Sequence, residues 1–499
     1  MAERTAEVVT DNPQGNKKGA LVRSKGTLEF ELRPHRMSAE KLRELHGPVL
    51  GMITKILGVT PRHCQYLMLW PPGYESMSVL VPNLMNIPFC DFGIGSIGGS
   101  LRSLTTYVTS RAYGCGYCAA HCAGLGTIWR GSSVFLAKNV AAMAPIPDPE
   151  TFTPQELAAI NIAKKVGPVP SAVTTEDIRG IASVMSEKEQ EAVVNCCAVM
   201  GFLNRFMDTI GMTLEMEPLE TGVKQLASTG WKAGQAYDPE ADAELMEEDR
   251  LEALKRAERN AKSGFFSFLI MLFGAKMEDH NSLKNIPTTD RTIAERCRRV
   301  AGFAPYYCLD VLHSNARAAY AWAFLLRLNE GSEEVPIGLK QLMCYICSTN
   351  AGNNILRAHF GFMAYRNGVP LSRLINIAKQ EVDRDVEADA AVGAKEVTAM
   401  ALAEAASGAP STMSPSLVGL VSRQFSPAGV IELITTVSVA FMFHRWTSVY
   451  VPKRYEPEIL EFVKLHGRDM RLDPENPCTP EQKKWTKIAN QARLSSGHE

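Results

Sequence analysis

The feature that most limits what this 499-residue chain can fold into is an internal repeat. Shifted by 238 positions, Leu101-Arg-Ser-Leu-Thr-Thr-Tyr-Val falls on Leu339-Lys-Gln-Leu-Met-Cys-Tyr-Ile, Gly114 falls on Gly352 and His121 falls on His359. Shifted by 240, Glu156 meets Glu396, Pro170-Ser171 meets Pro410-Ser411 and Ser186 meets Ser426. The same shift lays Asn204-Arg205-Phe206 on His444-Arg445-Trp446. Two matched blocks at nearly one offset mark a tandem duplication, each copy a helical unit of roughly 200 residues, an ordinary domain size.

The local pattern makes both copies all-α. Ser38 opens an N-capped helix running to about residue 57. Residues 101–112 read as a helix leading into a break at Gly114 and Gly116. Thr153-Pro-Gln-Glu156 is a capping box with Pro at the first helical position. Thr174 with Asp177, and Ser186 with Glu189, open two more helices. The last carries Val193, Val194, Cys197, Met200, Gly201, Asn204 and Asp208 at a 3.6-residue period and ends near Gly211. No period-2 segment of useful length appears. The expected organisation is a disordered arm over 1–30, a first helical domain over 31–235, a charged and apolar connector over 236–290, and a second domain over 291–499. The charged run from Asp238 reads as a solvated helix.

With 45% hydrophobic residues and a formal net charge of −1, nothing argues for nucleic acid or an anionic surface as partner. Twelve cysteines, mostly in apolar runs, are too dilute for a disulfide scaffold and fit a reducing, cytoplasmic setting. The polar first 25 residues lack an apolar leader segment. Residues 265–273 come nearest to a membrane span and are too short for one, so no transmembrane span is expected. They read as a docked core or oligomer-contact helix, with interfacial membrane contact as the alternative.

Chemistry concentrates in Tyr113-Gly-Cys115-Gly-Tyr-Cys118-Ala-Ala-His121-Cys122. From Tyr117 a new helix places Cys118, His121 and Cys122 at i, i+3 and i+4, on one face. A thiolate near a helix N-terminus and beside an imidazole is favoured electrostatically and is the better nucleophile. Cys115 lies one turn away, within reach of a disulfide. The spacing alone leaves three readings open: a redox pair, part of a metal site, or structural cysteines. A zinc site wants further well-placed ligands, and His121 beside Cys122 would strain a tetrahedron.

These residues, followed by the helix Asn204-Arg-Phe-Met-Asp-Thr-Ile-Gly211, resemble the alkylhydroperoxidase D-like and carboxymuconolactone decarboxylase superfamily, in its peroxidase-related branch. The resemblance covers residues 38–214 and is degenerate over 291–453. It implies an all-α fold, a homo-oligomer, and reduction of hydroperoxides or disulfides by the C-x-x-C pair. Cys118 would be the attacking thiolate, Cys115 the resolving thiol and His121 part of a proton relay. No cofactor or metal is implied, and an external thiol reductant would reopen the disulfide, since no nucleotide-binding fingerprint is present. This chain departs from the pattern at Ser103, where redox members carry a glutamate. No acidic residue lies between Asp91 and His121, so another segment must supply the carboxylate.

The second copy puts Asn353 and Leu356 where the first has Cys115 and Cys118, and keeps His359. Cys344 and Cys347, in an apolar helix, read as core residues. Arg205 and Arg445 are either surface ion-pair formers or supports for the C-x-x-C loop. Two function classes follow: a thiol peroxidase or disulfide oxidoreductase, and a non-catalytic helical module kept for assembly. Decarboxylase-type acid–base chemistry ranks last because it would leave the cysteines idle.

Overall fold

The computed structural model describes residues 25–87, 97–130, 133–234, 237–262, 265–379 and 393–479, with residues 482 and 484. Regular structure among the described residues is helical throughout, without a strand. The first part holds α1 (Leu28–Leu32), α2 (Ala39–Leu57), α3 (His63–Leu67), α4 (Pro71–Leu84), α5 (Gly99–Tyr113), α6 (Gly116–Arg130), α7 (Ser133–Ala142), α8 (Pro154–Val166), α9 (Thr175–Val184), α10 (Glu187–Ile210) and α11 (Met216–Gln225). Then come α12 (Ala243–Lys262) and α13 (Phe265–Leu283). The second part holds α14 (Asp290–Ala301), α15 (Ser314–Trp322), α16 (Ile337–Asn350), α17 (Asn354–Arg366), α18 (Leu371–Lys379), α19 (Ala394–Ala406), α20 (Pro415–Gln424), α21 (Pro427–Val449) and α22 (Pro457–His466).

The capping residues do what their chemistry predicts. Thr153 with Glu156, Thr174 with Asp177 and Ser186 with Glu189 form reciprocal capping boxes on α8, α9 and α10. Ser38 caps α2, which kinks at His46, two residues before Pro48. Gly114 ends α5 at φ +99°, a conformation a side chain resists, and this frees the chain to turn at once into α6.

The repeat is visible helix by helix. α5, α6, α8, α9, α10 and α11 recur in order as α16, α17, α19, α20, α21 and α22. Cis prolines stand at matching places, Pro170 and Pro410. α10 and α21, 24 and 23 residues long, make the most extensive helix–helix contact among the described residues. At their crossing a Cβ on Gly201 would lie 2.5 Å from the Phe441 carbonyl oxygen, so only glycine permits this approach. The exchange is reciprocal. Gly114 stands against Pro410 and Gly352 against Pro170. Arg205 donates to the Ala406 and Gly408 carbonyls at the end of α19. Arg445 donates to the Gly167 carbonyl at the end of α8 and to the Cys197 carbonyl, both at 3.2 Å. These arginines are not surface ion-pair formers: both are buried, and each donates to carbonyls of the opposite half. Buried residues of the two halves form one continuous core.

Three expectations change. Residues 25–30, expected in the arm, are part of the fold: Thr27 caps α1, Leu28 is buried, and Lys25 pairs with Asp242 at 2.7 Å, while residues 1–24 lie outside the described residues. The connector is not merely solvated, because Asp242 is buried between Lys25 and Arg33, and α12 sends Asp249 inward to Arg62. The run at 265–273 is not the most membrane-like segment. Among the described residues α21 is the one helix long and apolar enough to cross a membrane, and 89% of its apolar window is buried inside the protein. It was missed because Thr435, Thr436, Ser438, His444 and Arg445 interrupt the run.

A candidate thiol site beneath an apolar cavity

Site geometry starts from the break between α5 and α6. The Ala119 amide bonds the Cys115 carbonyl at 3.1 Å, so Cys115 holds the N-cap position of α6 and Cys118 sits in its first turn. The Cys115 sulfur takes the capping role, accepting the Cys118 amide at 3.4 Å. Both thiols are free. Each is buried, at 1% and 4% exposure, so chemistry there needs an internal access route.

That route is a cavity of about 120 Å³ lined by Cys118, His121, Cys122, Tyr117 and His63 on one side. Side chains of α2 and α4, among them Ile53, Ile56, Met77 and Val81, close the other side, and Met200 and Met207 come from α10. The lining is almost wholly apolar. Cys115 does not line it.

The carboxylate absent from α5 arrives from 94 residues downstream. Glu215 Oε2 accepts from His121 Nε2 at 2.8 Å, and Oε1 accepts from the Tyr117 hydroxyl at 2.8 Å and from the Arg62 amide at 2.5 Å. Burial alone would raise the Glu215 pKa, but His121 and then Arg62 outweigh it and hold the carboxyl down to about 2. Glu215 occupies the N-cap position of α11 and makes no bond to that helix with its side chain. Asp249 accepts the Met216 amide beside it at 2.8 Å. Asp249 also binds Arg62 Nη2 at 2.6 Å, so the charged connector braces the carboxylate from behind.

His121 is thereby fixed at one ring nitrogen and open at the other. Its Nδ1 is buried with no partner among the described residues. Tyr117 stacks on it, with ring centroids 4.6 Å apart. Since the Tyr117 hydroxyl donates to Glu215, its oxygen accepts from His63 Nδ1 at 3.2 Å. Burial pushes His63 down to about 3, so this second imidazole is neutral. Cys122 is a poor nucleophile, because burial and the neighbouring Cys118 push its thiol up to about 12. Ser103, where the resemblance expects a glutamate, donates to the Cys122 carbonyl at 3.0 Å and only ties α5 to α6. Among the described residues no group of three or more His, Cys, Asp or Glu side chains is arranged to hold a metal ion.

No family model matches this chain, and no curated protein matches it. Among solved structures, the apo crystal structure of the debrominase Bmp8 aligns at 20% identity, covering 37% of this chain and 94% of that one, with a TM-score of 0.33.

The second half repeats the frame without the thiols. His359 Nε2 donates to Glu456 Oε2 at 2.9 Å, and Tyr306 donates its amide to Oε1 at 3.0 Å, as Arg62 does to Glu215. Glu456 is again at an N-cap, and Pro457 after it has no amide to cap. Asn353 replaces the Cys115 sulfur as cap, accepting the Leu356 amide at 3.1 Å. Cys344 and Cys347 are buried core residues, as expected. One side chain of this half reaches the first site electrostatically. Burial draws the Arg445 guanidinium down to about 10, and Cys197, Tyr113 and Cys118 are among the groups its charge meets.

The sequence reading singled out Cys115, Cys118 and His121, and the structure places them at the start and in the first turns of α6. It passed over Glu215, Tyr117, His63 and Arg62. A signal for Glu215 was present: Glu215-Met-Glu217 lies on Glu456-Pro-Glu458 at a shift of 241, extending the repeat past its apparent end.

Proposed function

We propose that the chain is a thiol-dependent peroxidase of the alkylhydroperoxidase D-like kind, duplicated, with its chemistry in the first half. The observation that carries this reading is the buried constellation of Cys118, His121 and Glu215 opening on an apolar cavity. Cys118 lines the cavity and attacks the terminal peroxide oxygen, giving a sulfenic acid and an alcohol. His121, oriented by Glu215, passes the proton that the departing alkoxide needs. Cys115 then displaces hydroxide from the Cys118 sulfur, water leaves, and an external dithiol reduces the disulfide. The apolar lining favours an organic hydroperoxide over hydrogen peroxide. Eleven of the twelve cysteines lie among the described residues, and all are free thiols, which supports a reducing compartment.

The test is direct. Reduced protein treated with one equivalent of cumene hydroperoxide should lose two thiols and yield a Cys115–Cys118 linked peptide by mass spectrometry. If both thiols stay free while the hydroperoxide persists, the peroxidase reading falls and the assembly-module reading takes its place.

Self-association belongs to the same proposal. The apolar faces of the two copies pack against each other within one chain, so they are not free to make a dimer. What is left is α13, which exposes Phe266, Ile270, Phe273 and Met277 at 57–79% along one face. Sedimentation velocity should show an oligomer at micromolar concentration that F266D/F273D dissociates. A monomeric wild type would end this part of the proposal.

A further inference from the structure

The turn that carries Cys115 is held by the other half of the chain. Tyr113, the last residue of α5, is buried, and its hydroxyl meets the Pro410-Ser411 segment that follows α19. The hydroxyl oxygen accepts the Ser411 amide at 3.2 Å and lies 3.0 Å from Ser411 Oγ. Ser411 is itself buried and fixed, because its Oγ accepts from Arg205 Nη1 at 3.1 Å and from the Thr209 hydroxyl at 3.2 Å. Beside Tyr113, a Cβ on Gly114 would lie 3.2 Å from Pro410 Cδ, so the backbone of the turn rests on the same two residues. Cys115 follows at once, with its amide on the Ser110 carbonyl at 3.0 Å and its sulfur accepting the Cys118 amide at 3.4 Å.

The duplication supplies its own comparison. At the shift of 238 that aligns the two turns, Tyr113 falls on Ala351 and Gly114 on Gly352. Pro170-Ser171 is the counterpart of Pro410-Ser411. A Cβ on Gly352 would still meet Pro170, at 4.0 Å. Ala351 has no hydroxyl, however, and Ser171 Oγ turns to the Lys165 carbonyl of its own half at 3.2 Å. Of these two turns, both are packed across the halves, but only the one with cysteines is locked by side-chain hydrogen bonds. The lock follows the thiols rather than the fold.

We propose that the second half acts as a clamp on the thiol turn: Ser411, through Tyr113, is a positioning residue that sets how readily Cys115 and Cys118 close to a disulfide. The inference rests on the redox-pair part of the peroxidase reading and gives the thiol-free copy a task in it. Closure depends on how well two sulfurs are held for reaction, and an oriented intramolecular pair gains over a loose one. Cys115 stands two residues beyond the locked side chain, at the N-cap of the helix that bears Cys118. Releasing Tyr113 lets the segment from Tyr113 to Cys115 take other positions, which dilutes the geometry that closes. The step can be driven without peroxide. In exchange with oxidised dithiothreitol, the two thiols give up two electrons and two protons and form one S–S bond. The S–S bond of the reagent breaks and takes up the same electrons and protons.

The experiment equilibrates the full-length protein at pH 7 with varied ratios of oxidised to reduced dithiothreitol, quenches in acid, and quantifies the Cys115–Cys118 linked peptide by mass spectrometry. Y113F and S411A should each lower the closure equilibrium constant ~10-fold, about 30 mV in potential. S411T keeps the hydroxyl and should stay within ~2-fold of wild type. S171A removes the equivalent serine of the first copy and should leave the equilibrium unchanged. A purely structural role would lower the denaturation midpoint without moving this equilibrium in folded protein. Closure unchanged in both Y113F and S411A, or shifted equally in S171A, overturns the proposal. Should Y113F not fold, the comparison of S411A, S411T and S171A decides. Hydroperoxide takes no part in the measurement, so the two proposals fail separately. A protein whose pair closes but which does not consume cumene hydroperoxide ends the peroxidase reading alone. An equilibrium insensitive to the variants ends the clamp alone, and a pair that never closes ends both.

Discussion

Cys118→Ser is expected to abolish hydroperoxide consumption by the protein, a loss of about 10³-fold or more, because a serine hydroxyl at neutral pH is no substitute for a thiolate. Folding should hardly change, with a cost of about 1 kcal/mol for a slightly smaller, more polar side chain at a buried position. Cys115→Ser should behave differently. Cys118 remains on the cavity wall, so one equivalent of hydroperoxide is still consumed, but the reaction stops at the sulfenic acid. Steady-state assays with a thiol reductant, beside intact-mass spectrometry of the stalled variant, separate the two. Cys347→Ser, in the core of the second half, should leave both readouts alone. Full activity in Cys118→Ser together with loss in Cys347→Ser would move the chemistry to the other copy.

How much of this was legible follows from which forces act locally. The caps of α8, α9 and α10 and the stripe from Val193 to Asn204 are decided within a few residues, and they were readable from sequence. The repeat was readable too, because it needs only self-comparison. The role of Glu215 was not: the repeat marks its position, but its partners lie 94 or more residues away in the sequence. His121, Tyr117 and the Arg62 amide reach it from other elements, and Asp249 of α12 bonds the amide beside it. That arrangement depends on tertiary packing, which no window of sequence contains. Arg205 and Arg445 were ambiguous for the same reason. Their carbonyl partners lie more than 200 residues away, at the helix ends of the opposite half.

Glu215→Gln provides the sharpest comparison between the halves, because Glu456 is its structural counterpart. In the first half the substitution removes the charge that Arg62 and His121 surround. Breaking a buried ion pair on one side typically costs about 3–5 kcal/mol. The pH dependence has a definite sign. A carboxyl held at about 2 in the folded protein, against 4.5 when free, contributes stability that is fully present above about pH 4.5 and is lost as pH falls through about 2. Denaturant unfolding of the variant should therefore show a lower midpoint at pH 7 and a flatter fall toward acid than the wild type. Glutamine offers one carbonyl oxygen where the carboxylate offers two, so His121 would compete for it with Tyr117 and the Arg62 amide, and turnover should drop by about 10²-fold or more. Glu456 faces a similar balance, with burial raising its pKa and His359 overcoming it to leave it lowered, so Glu456→Gln should carry a comparable stability cost. Its turnover should stay near wild type, because Leu356 stands where the nucleophile would be. Equal loss of turnover in both variants would show that Glu215 acts through stability alone. A loss confined to Glu215→Gln, at temperatures where both variants are fully folded, identifies the carboxylate as part of the proton relay.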